Sequence, residues 1–253
     1  MKYGIFLGCN IPYHLPNYCV STLSMLDSLG VKWEDVKEFG CCGYPFMWVD
    51  EESFLLLSAR NLAIAEERGL DMLVLCDCCF GALKRAEYLL GDGKVRDKIN
   101  KKLLSEGLKY NGRVRVKHII QVLFYEVGLE KIGKMRKGGS LKVAVHYGCH
   151  LLRPSSITQF DDPFSPTIFD KLVEAAGAEP ISWPLKTDCC GASLRGISKD
   201  MSFKVLERKL KSAEVAGADF ICVTCPYCYM QFKSLENRKP SPILYPQLLG
   251  FPV

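Results

Sequence analysis

Residues 71–80 read DMLVLCDCCF and residues 219–228 read DFICVTCPYC, and the fold turns on how these two stretches are read. Each is an aspartate, a short β-rich apolar run and then a Cys-x-x-Cys, formed by Cys76 and Cys79 in the first and by Cys225 and Cys228 in the second. A brief apolar run of this kind reads as a buried strand. Each stretch is therefore expected to be a strand that delivers a cysteine pair at its C-terminal end.

Working outward, the same order of cysteines precedes both stretches. Cys41-Cys42-Gly43 in FGCCGYPF answers Cys189-Cys190-Gly191 in DCCGASL, and before them Cys9 in FLGCN answers Cys149 in HYGCH. The gaps are 31 and 33 residues in the first copy, 39 and 34 in the second. The copies also end alike, HIIQVL around Gln121 matching LYPQLL around Gln247. Self-similarity on this scale is the mark of an internal repeat.

The rest of each copy alternates strand and helix. Tyr3 to Leu7 and Lys142 to Val145 read as short buried strands that lead into the first cysteine. Cys19, Leu23 and Leu26 would share one face of a helix ended by Gly30, and Ile168, Leu172 and Ala175 one face of a helix with Pro166 near its start and Gly177 past its end. Further helices are expected at about Glu51 to Arg68 and Lys199 to Ala216. Alternation of this kind predicts an α/β fold of two tandem, pseudo-symmetric domains, each a small Rossmann-like parallel sheet. The domains are set at 1–139 and 140–253, with the boundary near Gly138 to Ser140. Open α/β sheets bind ligands beyond their strand C-termini. Cys9, Cys76, Cys149 and Cys225 all fall there, and Gly43 and Gly191 would let the two doublets fold over the same edge.

Composition narrows the chemistry. With 253 residues, 48% of them hydrophobic, the chain can bury a sizeable core. Its apolar runs are far shorter than the roughly 20 residues of a membrane-crossing helix. The start MKYGIFLGCN lacks an export-signal pattern, so a cytoplasmic setting is expected. The net charge of +5 is uneven: Gly91 to Ser140 holds thirteen Lys or Arg against five Asp or Glu. A solvated helical face accounts for that excess most simply, an acidic partner or anionic ligand being the sharper reading. Nucleic acid is disfavoured, because no stacking platform or binding motif accompanies the charge.

Thirteen cysteines are too many for core use, and a reducing cytoplasm disfavours disulfides. Adjacent cysteines, moreover, cannot bond to each other without severe strain. Clustered thiols of this kind point to metal. Structural zinc takes four ligands, usually as two knuckles, whereas each half offers one knuckle, a doublet and a singleton; zinc in one of the two sites stays open. Iron–sulfur clusters fit better. Five thiolates exceed the four of an ordinary cubane, which suggests an opened or rearranged cluster.

The paired pattern C-x(31–39)-C-C-G-x(32–33)-C-x-x-C resembles the cysteine-rich CCG domains of the B-type subunit of heterodisulfide reductase. The segments GCHLLRPS, FDDP, LVEAAGAE and DCCGASL are similar to the second copy in that family. The resemblance implies two non-cubane [4Fe-4S] clusters, one on Cys9, Cys41, Cys42, Cys76 and Cys79, the other on Cys149, Cys189, Cys190, Cys225 and Cys228. It also implies a catalytic subunit that reduces the mixed disulfide of coenzyme M and coenzyme B, or a similar one, to two thiols by one-electron transfers. Implied partners are a ferredoxin-like iron–sulfur subunit and, behind it, a flavin-bearing subunit. Arg153 and Arg195 are candidates to hold the anionic substrate, and His150 is a candidate proton donor. Cys19, Cys222 and His146 are expected in the core, and Cys78 is expected to stand aside, Cys79 keeping the family spacing. Two rival readings are a related subunit of a sulfur-oxidising complex, acting on sulfane sulfur or carrier-bound thiols, and a non-catalytic electron relay or zinc scaffold.

Overall fold

The computed structural model describes residues 2–136, 141–235 and 238–253. The expected domain boundary at 139/140 lies outside the described residues. Among the described residues there are eight strands: β1 (Lys2–Phe6), β2 (Lys32–Glu34), β3 (Asp71–Val74), β4 (Val116–His118), β5 (Lys142–Val145), β6 (Glu179–Ile181), β7 (Phe220–Val223) and β8 (Ser241–Leu244). They form two four-stranded sheets, ordered β2-β1-β3-β4 and β6-β5-β7-β8. Every pairing is parallel, with Ile5 opposite Leu73 in one sheet and Ala144 opposite Ile221 in the other. A parallel sheet is covered on both faces, so its central strands are apolar throughout rather than alternating. Accordingly Ile5, Leu73, Ala144 and Ile221 are all buried.

The strand order puts the cysteines where they can meet. From β1 the chain runs first to β2 on one side and then to β3 on the other, and a crevice opens between β1 and β3 at that reversal. Cys9 follows β1 and Cys76 follows β3. Cys149 and Cys225 stand in the same relation to β5 and β7.

The long helices lie at Glu51–Glu67 and Lys199–Val215, within a residue of expectation. Each is started by a side-chain cap, Asp50 accepting from the Ser53 amide at 3.1 Å and Ser198 from the Met201 amide at 3.3 Å. The repeated glutamine proves to be another start signal. Gln121 Oε1 accepts from the His118 amide at 3.0 Å and Gln247 Oε1 from the Leu244 amide at 2.8 Å, turning β4 and β8 into short helices.

One helical face differs from expectation. The helix Pro16–Ser28 buries Tyr18, Ser21, Thr22, Met25 and Leu26, leaving Cys19 and Leu23 half-buried. The reason is that it packs against the helix Tyr245–Leu248 of the other half as well as against its neighbour Asn10–His14, which turns the buried stripe by about a residue. The matching exchange holds on the other side, where Ile168–Ala175 packs against Ile119–Gln121 and Leu129–Gly133 of the first half. Each half thus closes with its end segment on its partner's first helix, and the apolar core is continuous across both. Part of the basic excess is spent within the chain: Lys98 and Lys102 pair with Glu52, Arg113 with Glu66, and Lys117 with Glu126.

Candidate metal centre

All thirteen cysteines are free thiols, and eleven of them, Cys78 included, collect at the crevices. In the first half they touch in series, Cys9 beside Cys41, Cys41 beside Cys42, Cys42 beside Cys79 and Cys79 beside Cys76. In the second half the series is Cys149, Cys189 and Cys190, then Cys228 at 3.3 Å from Cys190, then Cys225. The two groups meet, because Cys76 faces Cys225.

The doublets are aimed by the glycine that follows each. Gly43 and Gly191 have φ of 81° and 85°, and a Cβ there would come within 2.8 Å of the Phe54 and Ser202 carbonyls respectively. Both the left-handed turn and the close approach demand glycine. The turn brings the Gly43 amide to 3.4 Å from Cys41 Sγ and the Gly191 amide to 3.3 Å from Cys189 Sγ. Amide donors pointed at sulfur favour thiolate. Hydrogen bonds from Cys41 and Cys79 hold the Cys42 thiol well below its usual range, and those from Cys149 and Cys190 do the same for Cys189. The donor set therefore fits a sulfur-ligated metal centre in each half: free, crowded and largely buried sulfurs, with an amide donor aimed at one sulfur of each doublet.

Over the second group lies a cleft lined by its cysteines, by His150 and Tyr227, and by Tyr44, Asp77 and Cys78 of the first half. His150 Nε2 is 3.1 Å from the Tyr44 hydroxyl, an imidazole of one half facing a phenol of the other. Cys78 does not stand aside: it lies 3.9 Å from Cys225 Sγ, at the seam of the groups. Asp77 is buried between Cys76 and Cys78. Its Oδ1 accepts from the Thr224 hydroxyl at 2.8 Å and lies 3.2 Å from His118 Nε2. Burial raises its carboxyl above the ordinary range.

The arginine candidates are engaged elsewhere. Arg153 donates to the Thr187 carbonyl at 3.1 Å, Arg195 lies over the Phe203 ring, and neither lines the cleft. Cys222 is fully buried, as expected of a core thiol. His146 is buried too but is more than packing, since its Nε2 is 3.4 Å from Cys228 Sγ; burial holds it well below the usual histidine range, hence neutral. Sequence reading missed Tyr44, Asp77 and Lys209. Tyr44 had a signal in following CCG directly, whereas Asp77 and Lys209 carry none outside the folded repeat.

Comparison with known proteins agrees with this geometry. The cysteine-rich CCG domain matches residues 3–84 and 143–233. A protein of Archaeoglobus profundus that is itself named as like the B-type heterodisulfide reductase subunit is 35% identical over 94% of this chain and 83% of its own. The B-type subunit of a ferredoxin/F420H2-dependent CoB-CoM heterodisulfide reductase of Methanosarcina acetivorans is 36% identical over 98% of this chain and 88% of its own. A crystal structure of a hypothetical protein from Helicobacter pylori superposes with a TM-score of 0.74 at 15% identity. It covers 98% of this chain but only 48% of that longer one, so the likeness is one of fold.

Proposed function

Since this chain belongs to the family of CCG cysteine-rich proteins typified by the B-type subunit of heterodisulfide reductase, we propose that it is the disulfide-cleaving component of such a reductase. The observation that carries the reading is the meeting of two five-thiol groups, Cys76 facing Cys225, beside a cleft lined by the second group and by Tyr44, Asp77 and Cys78 of the first half. Cys9, Cys41, Cys42, Cys76 and Cys79 would hold one four-iron cluster, and Cys149, Cys189, Cys190, Cys225 and Cys228 the other. Five ligands each favour the non-cubane form over the cubane.

Cleaving a disulfide takes two electrons and two protons, R–S–S–R′ + 2e⁻ + 2H⁺ → RSH + R′SH. Bound clusters would supply the electrons one at a time. One proton would come from the chain's own residues and the other from solvent. Tyr44 and His150 hold a proton between Oη and Nε2 at the cleft edge, within reach of a departing sulfur. The substrate is a small mixed thiol disulfide, of which that of coenzyme M and coenzyme B is the first candidate given the Methanosarcina relative. The electrons come from a ferredoxin-like iron–sulfur subunit fed by a flavin-bearing one, in the cytoplasm. No helix among the described residues is long and apolar enough to cross a membrane.

A zinc scaffold has an observation in its favour: among the described residues two sets, Cys76, Cys78 and Cys225, and His146, Cys190 and Cys228, each offer ligand atoms within 4.8 Å of one another. Metal analysis of anaerobically purified protein decides between the two. About eight irons per chain, with a paramagnetic signal that appears on oxidation only when one thiol half of the substrate is added, supports the reductase. Zinc with little iron overturns it.

A further inference from the structure

The duplicated halves are not electrically alike, and the difference lies at one repeated position. Counted from the CCG glycines, Lys209 stands 18 residues after Gly191 and Asn61 stands 18 residues after Gly43. The structure confirms the correspondence, because the carbonyls crowding the two glycines, Phe54 and Ser202, are themselves matched, each 11 residues on. Both side chains do the same mechanical work of pinning the doublet loop. Asn61 donates to the Cys41 carbonyl at 2.9 Å and accepts from the Gly40 amide at 2.8 Å. Lys209 donates to the Asp188 carbonyl at 2.6 Å and to that of Leu185, beneath Cys189 and Cys190. One pin is neutral and the other is an ammonium that is only 1% exposed.

We propose that Lys209 biases the pair of sites, holding the reduction potential of the second-half cluster above that of the first-half cluster so that a shared electron rests on the second. This rests on the iron–sulfur reading above. A cluster gains negative charge on reduction, and a buried cation stabilises the reduced state in a medium where charge is poorly screened. Burial lowers the Lys209 pKa only to about 8, so the side chain is cationic at neutral pH. The surrounding groups do not cancel it. The Asp188 side chain is exposed to solvent, Lys186 is paired with Asp170, and Asp77 lies in the seam where it bears on both groups. A second difference adds to the first. His146 brings a polar ring nitrogen to Cys228, whereas Phe6, placed likewise three residues before its singleton cysteine, stacks on Phe39 and offers no donor.

The test is a mediated redox titration of the full chain in its complex, followed by electron paramagnetic resonance with iron content measured in parallel. The wild type is expected to titrate in two waves. Lys209→Met should lower one wave by at least tenfold in the reduction equilibrium, about 59 mV for one electron, with the other wave and the iron unchanged; Lys209→Arg should keep it in place. Asn61→Lys should raise the opposite wave. Coincident waves in the wild type, or a Lys209→Met protein with full iron and unmoved waves, overturns the inference. If Lys209→Met loses iron, Asn61→Lys decides: a raised wave supports the bias and an unmoved one overturns it. Wild-type protein without iron overturns the functional reading itself, and the inference with it.

Discussion

Cys42 and Cys222 are both buried, at 4% and 0% exposure, yet only Cys42 faces other sulfurs. Cys42→Ser and Cys190→Ser are each expected to lose one site's share of iron and all disulfide reductase activity. Cys222→Ala and Cys19→Ser should keep full iron, as metal analysis of the four proteins will show. Removing the proton-holding pair is expected to act differently. His150→Ala should lower turnover by about 10²-fold or more at unchanged iron content, and Tyr44→Phe by less, in anaerobic assays with a thiol-disulfide substrate. The repeated cysteine groups were legible from residue type and interval, and the structure brings those thiols together at the strand ends. The partners of the cleft were not. Tyr44 meets His150 and Asp77 meets Thr224 across more than a hundred residues, and no local pattern encodes such a meeting. The same holds for the arginines: nearness to a cysteine in sequence suggested Arg153 and Arg195, but both side chains are engaged away from the cleft.

At the scale of elements, β1, β3, β5 and β7 were readable because a central parallel strand is apolar along its length. The flanking β2, β4 and β6 are three residues each, too short for any period to show, and their place comes from pairing. The loop before Ile168–Ala175 is held by Asp161, whose carboxylate accepts from the Thr167 and Ile168 amides at 2.6 and 2.9 Å. Asp161→Ala removes that cap at a cost of about 1 kcal/mol. Calorimetry should then show a melting temperature roughly 2–4 °C lower, as expected for a chain of this size. Gly148 is fixed by an approach rather than a turn, since a Cβ there would lie 1.9 Å from Asp77 Oδ2. Gly148→Ala must therefore push the buried aspartate out of the seam. It is expected to lower iron content at both sites, whereas Gly196→Ala, where a Cβ meets nothing within 4 Å, should not.

For the whole molecule, the duplication announced two domains, and the structure shows two sheets that share their closing helices and one continuous core. What spacing could not convey is that each half finishes on its partner. Thr224 of the second half hydrogen-bonds Asp77 of the first in full burial. Thr224→Ala leaves that carboxyl short of a donor at a cost of about 1–3 kcal/mol. Denaturation should accordingly shift as one cooperative transition, and two separate transitions would contradict the shared core. The phenol of Tyr18 makes the same bond between halves more pointed. Its oxygen lies 3.4 Å from the Leu75 carbonyl and 3.2 Å from the Thr224 carbonyl, the last residues before Cys76 and Cys225. One hydrogen serves two acceptors at corresponding places in the repeat, so neither strand end can slip along its axis without pulling on the other. Inserting or deleting a residue ahead of either knuckle disturbs both, and after duplication the copies were free to diverge in charge while staying bound to a common ruler.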